Sequence, residues 1–258
     1  MRSVWNGSIS FGLVSIPIKL YSGSEDRRLD LDMLDRRDNA RIRYKRVNED
    51  TGKEVKWKDI VKGFKKDEAY VVLEKEDFEN ANSKKSKTID IEEFVDEKDV
   101  ADVLFKKPYF LEPQKNGEKS YSLLRKALKK TGRLGVATFV MRQKEHLCLI
   151  GVYDKALVLH IIRFQDEIRD PGELKLPKTR IAKKETDMAI SLIEQYSSDF
   201  DLSKFKDIYN KQLMKIINSK SEGVVSKSES FESEPTEAKD LMAQLKASLE
   251  KRKSSKAS

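Results

Sequence analysis

WNGSISFGLVSIPIKLYS, residues 5–22, decides the fold. Ile9, Phe11 and Leu13 alternate with small or polar residues, and Ile16, Ile18 and Leu20 resume the alternation around Pro17. A period of two places such residues on one face of a strand. The stretch reads as one long strand with a kink or bulge at the proline. Further strand candidates follow at residues 70–73, 88–94, 108–111, 134–142, 146–153 and 156–164, and so many closely spaced strands imply a barrel or a sandwich. Among them sits EKSYSLLRKALKKT, residues 118–131, with Tyr121, Leu124 and Leu128 at helical spacing and Gly132 placed to end the helix. After Pro171 and Pro177 the pattern turns helical. Ala189, Leu192, Ile193 and Tyr196 form one stripe, and Phe205, Ile208, Tyr209, Leu213, Ile216 and Ile217 another. The expected class is mixed β with α, its later helices packed on the barrel or on a partner subunit.

Charge is unevenly placed on this frame. Residues 36–66, RRDNARIRYKRVNEDTGKEVKWKDIVKGFKK, hold twelve basic and five acidic side chains, a surplus of seven in a chain whose formal excess is +8. Residues 67–102 hold thirteen acids and five bases. Such segregation is expected when one surface meets a polyanion and another avoids it. Arg41, Arg43 and Lys45 stand at every second position, so an extended strand would project all three from one face, with Ile42 and Tyr44 turned the other way. Thr51-Gly52 is a turn signal, and the segment reads as a hairpin or a long two-armed loop with cations along one surface. A solvated hairpin without a ligand has the same composition. A wholly solvated charge run would not need the interleaved Ile42, Tyr44, Val47, Val55, Trp57, Ile60, Val61 and Phe64, and it is the acidic neighbour at residues 67–102 that favours the phosphate-binding reading.

With 258 residues, 37% charged and 38% apolar, the chain is long enough to bury a real core and excludes a small disulfide scaffold. A pI near 9.2 fits an anionic partner, nucleic acid first. MRSVWNGSISFGLV lacks the apolar run of a signal peptide, and no segment is long enough to span a bilayer. A cytoplasmic, nucleoid-associated location and no membrane partner are expected. Residues 219–237, rich in Ser, Glu and Lys, read as a flexible linker. In the closing AKDLMAQLKASLEKRKSSKAS, Leu241, Met242, Leu245 and Leu249 share a helical face. A helix this short is marginal alone and folds against a partner or its own core.

Catalytic chemistry finds little footing. His146 and His160, the only histidines, fall in expected strands away from any Cys or carboxylate at metal-ligand spacing. Cys148, the only cysteine, sits in the apolar run HLCLIGVY as a core thiol. No phosphate-binding GxxxxGK[ST] loop and no GxSxG turn occur. Glu74, Glu76, Asp77, Glu92, Glu93 and Asp96 are the one set that could hold two Mg²⁺ ions for nuclease chemistry, against the simpler reading of solvated faces. Tyr44 and Trp57 would serve a single-strand binder as stacking platforms. No enzyme, no cofactor and no metal is the expectation.

The 5–22 stretch, RIRYKRV-x(4)-GKEVKWKDIVKGF at residues 41–64, YVVLEKEDFE at 70–79, TIDIEEFVD at 88–96, PYFLEP at 108–113, YSLLRKAL at 121–128, VMRQKEHL at 140–147 and DLMAQLKASL at 240–249 together resemble bacterial Ku over essentially the whole chain. The resemblance implies a homodimeric ring that threads onto double-stranded DNA ends in non-homologous end joining and recruits the ATP-dependent ligase D. It implies a Ku core over residues 1–218, made of a β-barrel, a DNA-encircling bridge at about 31–66 and a helical dimerisation region at about 177–218. The 219–237 linker then leads to a ligase-recruiting helix and short basic end at 238–258. Expected phosphate contacts are Arg36, Arg37, Arg41, Arg43, Lys45, Arg46, Lys53, Lys56 and Lys62 on the bridge, with Lys19, Arg142 and Lys144 from the barrel. Leu241, Met242, Leu245 and Leu249 become the ligase-binding anchors, and Arg252, Lys253 and Lys256 add weak DNA affinity at most. Many relatives carry a long lysine-rich extension after this point, so the internal translocation and end bridging credited to it are left unassigned.

Overall fold

The computed structural model describes residues 1–27, 29–81 and 87–222. Residues up to Pro171 form one compact unit, and the described ones from Gly172 onward form another.

The first unit is built on a closed seven-stranded barrel. Its strands are β1 (Trp5–Phe11), β2 (Val14–Ser22), β5 (Thr88–Asp96), β6 (Phe105–Pro113), β7 (Arg133–Met141), β8 (Lys144–Tyr153) and β9 (Ala156–Ile162). They run in the order β1-β2-β6-β9-β8-β7-β5, and the parallel pairing of β1 with β5, Ser8 opposite Thr88, closes the ring. The 5–22 stretch is therefore not one bulged strand. It is a hairpin in which Phe11 pairs with Val14, leaving Gly12 and the fully exposed Leu13 as a two-residue turn. Gly12 sits at φ +56, the left-handed value a two-residue hairpin asks of its first turn residue. The physical reason is parity. Inward residues switch from odd numbers (Ile9, Phe11) to even ones (Ile16, Ile18, Leu20), and Ile9 lies opposite Ile16.

Alternate residues of every strand fill the interior, among them Ile89, Leu111, Phe139, Ile150 and Leu159. Each such side chain removed from water contributes on the order of 1.5–3 kcal/mol. Cys148 lies among them with its Sγ 3.3 Å from the Ala137 carbonyl, and burial pushes its thiol well above the ordinary value. Outward-facing Leu134, Leu149 and Ile162 make a smaller cluster with Val95, Val100, Leu104 and Phe105, so β7 and β8 are apolar on both faces.

The barrel's two mouths differ. Helix α2 (Glu118–Thr131) touches β2, β7 and β8, which are not consecutive in the ring, and so lies across one mouth. Its Tyr121 hydroxyl donates to the Leu111 carbonyl at 2.7 Å and accepts from the Leu157 N–H at 2.8 Å. Gly132 ends the helix at φ +64 as its spacing foretold. At the other mouth β5 starts only opposite Ser8, leaving a gap between β1 and the end of β7. The Trp5 indole spans it, donating to the Val140 carbonyl at 3.0 Å and meeting Phe139 edge-on at 5.7 Å. Gly7 allows this, because a Cβ there would collide with the Trp5 ring and the Lys87 carbonyl.

His146 packs beside Phe139, and His160 is edge-on to Phe105 at 5.2 Å. Burial pulls both imidazoles below 6.5. For His146 the nearby Lys144 and Lys106 act in the same direction, while the Met141 backbone and Glu167 oppose them. A histidine depressed in the fold binds its proton more readily when unfolded, so its stabilisation is complete above the unfolded value of 6.5 and is lost as pH falls from there through the lower folded one. The midpoint of thermal unfolding should drop between pH 7.5 and 5.5, and a His146→Gln, His160→Gln double variant should flatten that fall. An equal fall in both proteins would remove the histidines as its cause.

Between β2 and β5 the chain makes a long excursion, the arm, carrying β3 (Lys62–Lys66), β4 (Ala69–Leu73) and α1 (Lys75–Ala81). Strands β3 and β4 pair as a separate two-stranded sheet. In the second unit, α3 (Lys183–Tyr196) and α4 (Ile208–Ser221) match the two apolar stripes. Phe205 precedes α4, and Asp207 caps that helix by accepting from the Asn210 N–H at 2.8 Å. Neither helix buries a residue. Helix α4 also runs three residues into the stretch read as linker, whose residues from 223 lie outside the described ones.

Candidate nucleic-acid interface

The arm's first half is not the extended strand that the alternation of Arg41, Arg43 and Lys45 suggested. It forms two tight hairpin loops. In one, Leu34 bridges to Arg41 across a turn with Asn39 at φ +60, and in the other Val47 bridges to Glu54 across a turn with Gly52 at φ +66. Asn48 fixes the second by accepting from the Thr51 N–H at 2.9 Å and the Asp50 N–H at 3.1 Å, so the Thr51-Gly52 turn is present. The competing local bonds of Asp and Asn won over the strand pattern.

No described residue from Gly23 to Lys87 is buried. Tyr44, Trp57, Phe64 and Tyr70 are each at least two-thirds exposed, an unusual load of uncovered aromatic surface.

The expected cations divide by what they already hold. Arg37 binds Asp35 through Nε at 3.0 Å and Nη2 at 2.6 Å, closing the first loop and holding the Asp35 carboxyl below the usual carboxylate range. Arg41 pairs with Asp32, and Lys45 with Glu54 at 3.0 Å. Arg46 covers one face of Trp57 at 4.6 Å, which leaves that ring a single face for stacking, and Lys62 lies over Phe78 at 4.7 Å. Among the described residues Arg36, Arg43, Lys53 and Lys56 make no ion pair. The Arg41–Asp32 and Lys45–Glu54 pairs are exposed, so exchanging the carboxylate for a phosphate costs little there.

The barrel cations do not all gather. Arg142, at φ +54 in the β7–β8 turn, and Lys144 line a groove of about 440 Å³ with Lys106, Lys107, Tyr109 and His146. Lys106 holds Glu167 at 2.7 Å and keeps its carboxyl below the ordinary value. Lys19 stands elsewhere on the wall, opposite Asn6 and Glu112. Lys106 and Lys107 are cations that sequence reasoning missed. Their signal was the KK pair just before residues 108–111, inside a strand that starts three residues earlier than expected. Topology joins groove and arm: β2 ends and β5 begins at the mouth opposite α2, the same mouth where β6 starts and β7 turns into β8.

The acidic set does not converge. Glu74, Glu76 and Asp77 belong to the arm, where Asp77 caps α1 by accepting from the Glu74 N–H at 2.8 Å. On β5, Glu92 accepts from the Thr138 hydroxyl and Asp96 pairs with Arg133 at 3.7 Å. Among the described residues no group of three or more His, Cys, Asp or Glu side chains is placed to hold a metal. Among them, too, no helix is long and apolar enough to cross a membrane. Leu241, Met242, Leu245 and Leu249 lie outside the described residues.

Residues 10–188 match the family model described as the Ku70/Ku80 beta-barrel domain. The non-homologous end joining protein Ku of Cupriavidus necator is 41% identical over 97% of this chain and 78% of its own length. That of Coxiella burnetii is 36% identical over 99% and 96%, and that of Archaeoglobus fulgidus 39% identical over 97% and 99%. Among solved structures, the SPOC domain of human PHD-finger protein 3 aligns at a TM-score of 0.31 with 14% identity, over 62% of this chain and 95% of that one, too weak a likeness to bear on the fold. With the closed barrel, the inserted cationic arm and relatives matched along 78–99% of their own lengths, this chain belongs to the Ku family of non-homologous end joining proteins.

Proposed function

We propose that the chain acts without catalysis of its own, as one half of a homodimeric ring that binds ends of double-stranded DNA and recruits ligase D to them. One observation carries this reading: an arm that buries no described residue yet presents both unpaired cations and large aromatic side chains. Solvent is a poor environment for Trp57, Phe64 and Tyr70, and a second copy related by a two-fold axis would cover them while doubling the positive lining. Phosphates are a matching partner for Arg36, Arg43, Lys53 and Lys56 because they ask for charge and not for base sequence. Arg142, Lys144, Lys106 and Lys107 would extend the contact onto the barrel at the mouth from which the arm departs. Lys19, away from that groove, contributes least.

A ring predicts topology-dependent binding. Linear duplex and the same duplex sealed into a covalently closed circle should separate in a gel-shift titration at about 150 mM salt, with the circle bound far more weakly. Linear affinity should fall steeply with salt, about 10³-fold or more between 50 and 200 mM if six or more phosphates are held. Equal grip on both forms across that series would sink the ring, as would a monomeric mass in solution.

Recruitment rests on the apolar spacing of Leu241, Met242, Leu245 and Leu249. Leu245→Ala with Leu249→Ala should leave linear-duplex affinity within about twofold and abolish stimulation of ligase D. Stimulation equal to the parent's would assign that contact to another part of the chain.

A further inference from the structure

Helix α2 carries a second cationic surface, at the mouth opposite the arm. Its inward line is Tyr121, Leu124 and Leu128, all buried. At about 100° per residue, Lys119, Lys126 and Lys130 fall along the line directly opposite, within about 20° of one another's mean, with Lys129 beside them. All four are exposed, and no acidic residue occurs from Lys119 to Arg133. Among the described residues none of the four forms an ion pair.

Helix stability does not account for this arrangement. Glu118 in the first turn and Lys129 and Lys130 in the last favour the macrodipole, but Lys119 in the first turn opposes it. Lys126 and Lys130 are like charges one turn apart, as are Arg125 and Lys129, an arrangement that weakens a helix. Real chains keep such locally unfavourable arrangements chiefly at functional sites, and a polyanion would relieve this one. The row from Lys119 to Lys130 spans about 16 Å at 1.5 Å per residue. Laid along the duplex axis, that length covers nearly five phosphates of one strand, which advance about 3.4 Å each.

We propose that this face of α2 grips the backbone of a second DNA duplex from the side. The inference rests on the arm being the site of the first duplex, since the two surfaces occupy opposite mouths of the barrel. The second contact needs no DNA end and is weak. With three phosphates held, its affinity falls about twentyfold between 50 and 150 mM salt.

The test titrates a covalently closed circle at about 50 mM salt, and a linear duplex at about 150 mM, into three proteins. They are the unmodified chain, an arm variant (Arg43→Glu, Lys53→Glu, Lys56→Glu) and a helix variant (Lys119→Glu, Lys126→Glu, Lys130→Glu). The helix variant should lose circle binding at least tenfold and keep linear-end binding within twofold, and the arm variant should do the reverse. Lys→Gln at the same three helix positions should give an intermediate loss, which separates charge from a folding defect. Circle binding that survives reversal of the helix lysines, or that is undetectable with the unmodified chain, overturns the proposal. Failure of the arm reading appears separately, as linear binding that survives reversal of the arm.

Discussion

Reversing Arg43, Lys53 and Lys56 to glutamate lowers affinity for linear duplex by about two to three orders of magnitude near physiological salt and leaves the melting temperature of the barrel where it was. These three are the arm cations to change because their side chains are exposed and, among the described residues, hold no carboxylate. Exposed substitutions without partners stay within about 0.5 kcal/mol of the parent in stability. Arg37 would be a poorer choice, since its guanidinium closes the loop around Asp35, and a charge reversal there disturbs the geometry it is meant to test. Lys45 sits between the two cases, because Glu54 would be left facing a new acid. In the proposed dimer each substitution counts twice, so the triple variant removes six positive charges and adds six negative ones. The logarithmic salt slope should become shallower by about 0.9 for every phosphate the variant no longer neutralises, which a titration from 50 to 200 mM reads directly. A variant with parental affinity and parental slope would show that phosphates bind elsewhere.

The legible and illegible parts of the fold separate along physical lines. Helix α2 was readable to the residue, because three buried apolar positions and a left-handed glycine agree on where it starts and stops. Strands β5 and β7 to β9 were readable to within two residues for a similar reason: alternation or continuous apolar character is imposed by the core. The 5–22 stretch misled because a two-residue turn preserves alternation on both sides while exchanging odd for even, and Pro17 drew attention away from Gly12. Strand β3, KGFKK, was invisible because a glycine and three lysines carry no strand signal and no core writes a pattern into them, whereas its equally unburied partner β4, AYVVL, was readable from its β-branched and aromatic residues. The same absence explains the arm. Where no face is buried, Asp35, Asp38 and Asn48 bend the backbone through their own side chains, and the spacing of Arg41, Arg43 and Lys45 loses its meaning. Candidate cations could still be named, because charge is a property of composition. Which of them are free to meet a phosphate was not, because pairing with Asp32, Asp35 or Glu54 depends on loop geometry.

Truncating Phe139 to alanine should cost about 3–5 kcal/mol, the range for deleting an aromatic ring from a packed interior. Phe139 is 2% exposed, and its ring supports the Trp5 indole at 5.7 Å and lies 5.6 Å from His146. Trp5 is what fills the mouth where β5 has not yet begun, so the cavity opens beside the least buttressed part of the barrel. For a unit of this size that loss corresponds to a fall of about 10 °C in melting temperature. The chain has two tryptophans, Trp5 and the exposed Trp57. In a Trp57→Phe background, Trp5 emission reports on this mouth alone and should shift to the red in the Phe139→Ala protein. Because no described residue of the arm is buried and the arm carries its own loop-closing bonds, linear-duplex affinity measured well below the melting transition should change less than threefold. A destabilisation under about 1 kcal/mol would mean that the interior around Trp5 closes over the missing ring. A large loss of DNA affinity in a folded Phe139→Ala protein would mean that the arm takes its geometry from the barrel mouth, not from Asp35 and Asn48.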